Sequence, residues 1–132
     1  MKDEMQKKVI QFQILEANLK ALQERSDVLA ERIEEIQNTK AAIEELKQVK
    51  PTKALIPLGS GNFISGKIED TEDVIVGVGS GVAIKKKRED AVAILDDNLK
   101  ELEKSLDDMK NQIMSIALQL ERIQEEVEKL QK

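Results

Sequence analysis

The side chains in this sequence best equipped for chemistry are carboxylates. Glu34-Glu35, Asp96-Asp97, Asp107-Asp108 and Glu125-Glu126 stand as adjacent pairs, and paired carboxylates are what general acid–base catalysis would use. Adjacent residues on a helix point about 100° apart, however, and do not converge on one substrate atom. Nothing around them suggests a concave pocket that would shift their proton affinities. They read as solvated helix faces. The chain has no His and no Cys. That removes the commonest general base and metal ligand, together with thiolate nucleophiles, thiolate metal sites and disulfides. No catalytic residue, cofactor or metal site is expected.

Two further motifs invite a chemical reading. Gly77-Val78-Gly79-Ser80-Gly81 looks like a fragment of a phosphate loop, but a working loop of that kind leads into a helix N-terminus. Here the glycines lead into another β-type run, Val82 to Lys86, without a terminal Gly-Lys-Ser/Thr, so a hairpin turn is expected. Lys85-Lys86-Lys87-Arg88 is a basic run followed at once by Glu89 and Asp90. It reads either as a solvated junction between strand and helix or as a docking point for an acidic surface. A net charge of −5 argues against nucleic acid, whose phosphates need a concentrated positive field.

The elements that would position these residues follow from apolar spacing. With Leu99 at heptad position a, one seam comprises Val92, Leu95, Leu99, Leu102, Leu106, Met109, Ile113, Ile116, Leu120, Ile123, Val127 and Leu130. The spacing alternates strictly between three and four, as a left-handed coiled coil requires. With Phe12 at a, the earlier seam is Met5, Lys8, Phe12, Leu15, Leu19, Leu22, Ser26, Leu29, Ile33, Ile36, Lys40 and Ile43, followed by Leu46 and Val49 in a shifted register. Lys8, Ser26 and Lys40 weaken this seam. The two lysines either fix its alignment or carry their ammonium groups out of it. Pro51 is expected to close the first helix, and Glu89 and Asp90 to open the second. Each helix has ~45 residues and spans roughly 65–70 Å. Their matched lengths favour antiparallel pairing within the chain.

Between the helices lie short β-branched runs. Residues 54–58 and 62–68 flank Gly59-Ser60-Gly61, and residues 74–78 and 82–86 flank Gly79-Ser80-Gly81. These are two tandem hairpins. Isolated hairpins are marginal in water and their open edges invite pairing. Ile75 and Val76 are consecutive and apolar, so both faces of that strand want cover. Aromatics make up 2% of the chain and charged residues 36%, too little bulk for one chain to supply it. The expected fold is therefore mainly α with a small β part: a long antiparallel two-helix coiled coil joined by two tandem β-hairpins that assemble into an oligomeric β barrel. Residues 1–50 form the first helix, 51–87 the hairpins and 88–132 the second helix, one domain overall.

Apolar residues also lie off the seam. Ile10, Ile14, Ala17, Ala21 and Val28 make a second stripe on the first helix, and Met114 and Leu118 stand at matching heights on the second. Such a stripe offers a binding surface, or else another helix covers it permanently. No apolar run approaches the ~18 residues of a membrane span, and MKDEMQKKV lacks the apolar stretch of a signal peptide. A soluble, cytoplasmic protein is expected, with no membrane and no nucleic acid among its partners.

The hairpin sequences, Leu55-Ile56-Pro57-Leu58-Gly59, Phe63-Ile64-Ser65-Gly66-Lys67-Ile68 and Val74-Ile75-Val76-Gly77-Val78-Gly79-Ser80-Gly81, resemble the prefoldin family, and the doubled hairpin resembles its α-type subunit. The resemblance covers nearly the whole chain. It implies a hexamer of two α-type and four β-type subunits that holds unfolded polypeptides without ATP and passes them to a group II chaperonin. It also implies that Leu55, Ile56, Leu58, Phe63, Ile64, Ile68, Val74, Ile75, Val76, Val78, Val82 and Ile84 build the oligomeric core. Met1, Met5, Val9, Ile10, Ile14, Leu118, Ile123, Val127 and Leu130 would present the client surface, the seam members among them only where terminal turns fray. The alternative is a self-assembling coiled-coil scaffold or filament in which the same β edges polymerise.

Overall fold

The computed structural model describes residues 2–131. Two long helices, α1 (Lys2–Glu45) and α2 (Arg88–Gln131), enclose four strands in sequence, β1 (Thr52–Gly59), β2 (Asn62–Ile68), β3 (Asp73–Gly79) and β4 (Val82–Lys87). Neither helix contains Gly or Pro, and both are rich in Glu, Lys, Gln, Leu and Ala, which lose least on entering a helix. Acidic residues open each one, Asp3 and Glu4 in α1 and Glu89 and Asp90 in α2, where they meet the positive end of the helix dipole.

α1 stops at Glu45, well before Pro51, and gives way to a 3₁₀ turn over Leu46–Gln48. Pro51 is thus not what closes the α-helix. Ile43, Leu46 and Val49 are spaced by three, the repeat of a 3₁₀ helix. Tightening the turn keeps all three half-buried on one side. The Val49 N–H then donates to the Leu46 carbonyl at 3.2 Å, and Val49 is already extended at ψ 129°.

The chain divides into two compact units, one of helical residues up to Glu34 with those from Glu101 onward, the other of residues 35–100. In the first unit every expected seam position is at least half-buried, with Ile33 and Ile123 buried, and the residues between them are largely exposed. A pair of helices has no third neighbour, so even its seam keeps some contact with water. Lys8 donates to the Glu126 carboxylate across the pair, which joins the start of α1 to the end of α2, as antiparallel helices allow.

In the second unit Ile36, Lys40, Ile43, Val92 and Leu95 are half-buried, and Leu99 and Ala91 are buried. Lys40 bridges to Asp96 at 2.6 Å. β1 pairs antiparallel with β2, and β3 with β4, as two separate two-stranded sheets. No barrel closes within the chain. Both hairpins turn through Ser-Gly with positive φ at each residue, 52° and 79° at Ser60 and Gly61, and 53° and 73° at Ser80 and Gly81. This is the type I′ geometry whose twist matches paired strands. Each turn follows a one-residue irregularity, at Leu58 and at Val78, and Gly59 and Gly79 absorb it at φ 113° and 100°.

Candidate functional site

The first unit holds one candidate surface. Val9, Ile10, Ile14 and Val28 on α1 and Met114 and Leu118 on α2 are exposed, because a heptad seam can bury only its a and d positions and these lie outside it. An open groove of about 240 Å³ runs among Val9, Phe12, Gln124 and Val127. A second, of about 440 Å³, is lined by Ala21, Val28, Leu29 and Met109 and rimmed by Glu24, Arg25 and Arg32.

The structure sorts the expected client residues into three groups. Val9, Ile10, Ile14 and Leu118 are exposed, Leu118 to 59%. Met5, Val127 and Leu130 are half-buried in the seam. Ile123 is only 6% exposed and packs in the seam. Its heptad position puts it in register with the opposing helix. Met1 lies outside the described residues. Heptad spacing assigns Phe12 and Met109 to the seam alone, yet each also lines a groove; a large side chain at a seam edge is visible from both sides.

The seam lysines carry their ammonium groups out of the apolar seam to carboxylates across it, Lys8 to Glu126 and Lys40 to Asp96. The hydrogen bond to Asp96 raises the Lys40 pKa above its ordinary value, and the hydrogen bond from Lys8 lowers that of Glu126.

The hairpins form the second candidate surface. Leu55, Ile56, Leu58, Phe63, Ile64, Ile75, Val78, Val82 and Ile84 are exposed, Ile75 to 78%, while Ile68, Val74 and Val76 are half-buried. Apolar side chains therefore face water on both sides of each hairpin, as expected for strands whose cover comes from elsewhere. The basic run beside them is largely engaged. Lys87 lies 3.2 Å and Lys85 3.9 Å from the Asp73 carboxylate, Lys86 is half-buried, and the Arg88 guanidinium donates to the Thr71 carbonyl at 2.6 Å. The hydrogen bond to Asp73 raises the Lys87 pKa. Asp70 folds the connecting loop by accepting the Glu72 N–H at 2.8 Å and the Asp73 N–H at 3.4 Å, and the first of these lowers its pKa. Asp73 thus takes up part of the positive charge of this run, and Lys85 and Lys87 stay largely exposed. Among the described residues no group of His, Cys, Asp or Glu is placed to hold a metal ion, and no helix is long and apolar enough to cross a membrane.

A family model described as prefoldin subunit matches residues 15–132. The chain belongs to the prefoldin family. Among its relatives, prefoldin subunit alpha of Thermococcus onnurineus is 36% identical over 101 residues, covering 75% of this chain and 69% of the relative. Prefoldin subunit alpha of Archaeoglobus fulgidus is 27% identical over 125 residues, covering 94% and 91%. A cryo-EM structure of filamentous PFD from Methanocaldococcus jannaschii shares the fold with a TM-score of 0.75 at 22% identity, covering 86% of this chain and 95% of that one. These similarities and the doubled hairpin mark the chain as an α-type prefoldin subunit. Prefoldins are chaperones rather than enzymes and assemble with other prefoldin subunits, and the open hairpins suit such assembly.

Proposed function

We propose that this α-type prefoldin subunit works in the cytoplasm within a mixed hexamer, two α with four β, as an ATP-independent holdase for unfolded polypeptides bound for a group II chaperonin. Residues 51–87 assemble the hexamer, and residues 1–50 and 88–132 form the arm. One observation carries this reading: Val9, Ile10, Ile14 and Leu118 are apolar and exposed on the coiled coil, and Val9 also lines the groove among Phe12, Gln124 and Val127. Such side chains gain by covering an unfolded chain's apolar groups. Weak contacts from several arms add through effective concentration. Met5, Ile123, Val127 and Leu130 join where the terminal turns fray.

The test substitutes Ile10→Ser with Ile14→Ser in the assembled oligomer and, separately, removes residues 1–8 with 126–132. Each variant should suppress aggregation of a denatured test protein less well while the oligomer keeps its size. Full activity in both would remove this surface. The filament reading has its own support: the M. jannaschii chain that shares this fold comes from a filamentous PFD, and the hairpin strands here are uncovered. Sizing with and without a β-type subunit decides between the two: a closed mixed hexamer favours the chaperone, open-ended particles of the lone chain favour the filament.

A further inference from the structure

The two hairpins are near copies. Their Gly-Ser-Gly turns, bulges and pairings coincide when residue n of the first is matched to n + 20 of the second. Matched this way, they differ most sharply at one cross-strand pair. In the second hairpin Asp73 stands opposite Lys87 and binds it at 3.2 Å. In the first, the same two places hold Lys53 and Lys67, directly opposed. Both are exposed, and among the described residues neither forms an ion pair. Like charges facing each other across an antiparallel pair are destabilising, so the first hairpin carries a repulsion that its twin has neutralised.

The imbalance extends over the whole β region. The four strands contain five lysines, at 53, 67, 85, 86 and 87, and one carboxylate, Asp73. They hold a clear positive surplus in a chain whose net charge is −5. A second copy of this chain, pairing strand to strand, would bring more lysines and an aspartate already engaged. On the face that bears Lys53 and Lys67, alternation also places Leu55, Pro57 and Phe63, with Leu55 and Phe63 exposed. The face is apolar toward the turn and cationic toward the strand ends.

We propose that this face of the first hairpin is a charge-selective interface whose occupant is a hairpin of a different subunit, apolar at its centre and carrying carboxylates that neutralise Lys53 and Lys67. The same lysines oppose pairing with a second copy. The inference rests on the mixed-oligomer reading and deepens it by naming the partner's chemistry. Opposed charges select the partner, and the apolar centre supplies the adhesion.

The experiment measures binding of a β-type prefoldin subunit to the full chain, at about 50 mM and about 500 mM salt, for the wild type, Lys53→Gln/Lys67→Gln and Lys53→Glu/Lys67→Glu. The Glu variant retains a like-charge pair across the hairpin with its sign reversed, so its folding penalty matches that of the wild type. The expected order of affinity at low salt is wild type, then Gln, then Glu, with at least about tenfold between the extremes. High salt should compress the difference. For the chain alone, the Gln variant should self-associate more than the wild type. Were repulsion only a hairpin-folding matter, the Gln variant would bind the β-type subunit best, with wild type and Glu equal; that order, or equal affinity for all three, overturns the proposal. A wild type that forms no mixed assembly in either salt instead overturns the reading on which it rests.

Discussion

Leu99→Ala and Leu118→Ala make the same chemical change on the same helix, and the two should behave in opposite ways. Leu99 is 8% exposed and Leu118 is 59% exposed. Shortening a buried Leu to Ala removes about three carbons from an apolar environment, at about 0.8 kcal/mol each. For Leu99 this gives roughly 2.5 kcal/mol. A two-helix seam open to water on both flanks leaves little sealed cavity, so the cost should fall in the lower half of the roughly 2–5 kcal/mol seen for such changes. At Leu118 only about two fifths of that transfer is at stake, and alanine's better helix propensity offsets part of it, leaving under about 1 kcal/mol. The function should respond the other way. A client covering Leu118 loses most of one apolar contact, while a client never reaches Leu99. Urea unfolding followed by far-ultraviolet circular dichroism on the assembled oligomer measures the first effect. Light scattering of an aggregating test protein measures the second. Equal destabilisation by the two substitutions would refute the assignment of seam and surface. Undiminished suppression of aggregation by Leu118→Ala would remove Leu118 from the holding surface.

Gly61→Val should destabilise the first hairpin by about 1–2 kcal/mol, because residue 61 sits at φ 79°, where a β-branched side chain is strained; loss of oligomer in a sizing experiment checks it, and unchanged assembly would refute the type I′ requirement. The response to pH should be flat from about pH 5 to pH 10. Asp70 and Glu126 have lowered pKa values, so their contribution is whole above the unfolded value near 4 and is lost as pH falls through the lower folded one. Lys40 and Lys87 have raised values, so theirs is whole below about 10.4 and is lost as pH rises past the folded one. No histidine titrates between these limits. Helical signal and oligomer size against pH test this, and a transition centred near pH 6 or 7 would contradict it.

Much of the architecture was legible because it depends on short periods. Heptad spacing identifies the seams from Met5 to Ile43 and Val92 to Leu130, since a position three or four residues on returns to the same helix face. The Gly-Ser-Gly turns were equally plain, because few residues accept consecutive positive φ values. What stayed hidden depends on registration between distant parts. The partners of Lys8 and Lys40 are Glu126 and Asp96, and each sequence neighbourhood offers several acids. The 3₁₀ turn at Leu46–Gln48 leaves a trace as two successive steps of three, which in the sequence looks like a shifted register running on to Pro51. At the candidate site, the exposed stripe of Ile10, Ile14 and Leu118 followed from positions outside the seam. Ile123 is buried where heptad spacing puts it, at a d position of the seam. Arg88 shows a limit: a basic residue beside three lysines looks like part of a patch, and only the fold turns its guanidinium onto the Thr71 carbonyl.

The bare hairpins also bear on how the subunit must be supplied. Nine large apolar side chains of β1 to β4 face water in the lone chain, and two-stranded sheets have little stability of their own. Whatever firmness these strands attain is then set by mass action, rising with the concentration of complementary subunits. An orphan copy, made in excess of its complement, would display the same sticky features as the unfolded chains that prefoldins hold. A cell making this subunit therefore gains by synthesising it in proportion to its partners or by clearing the surplus.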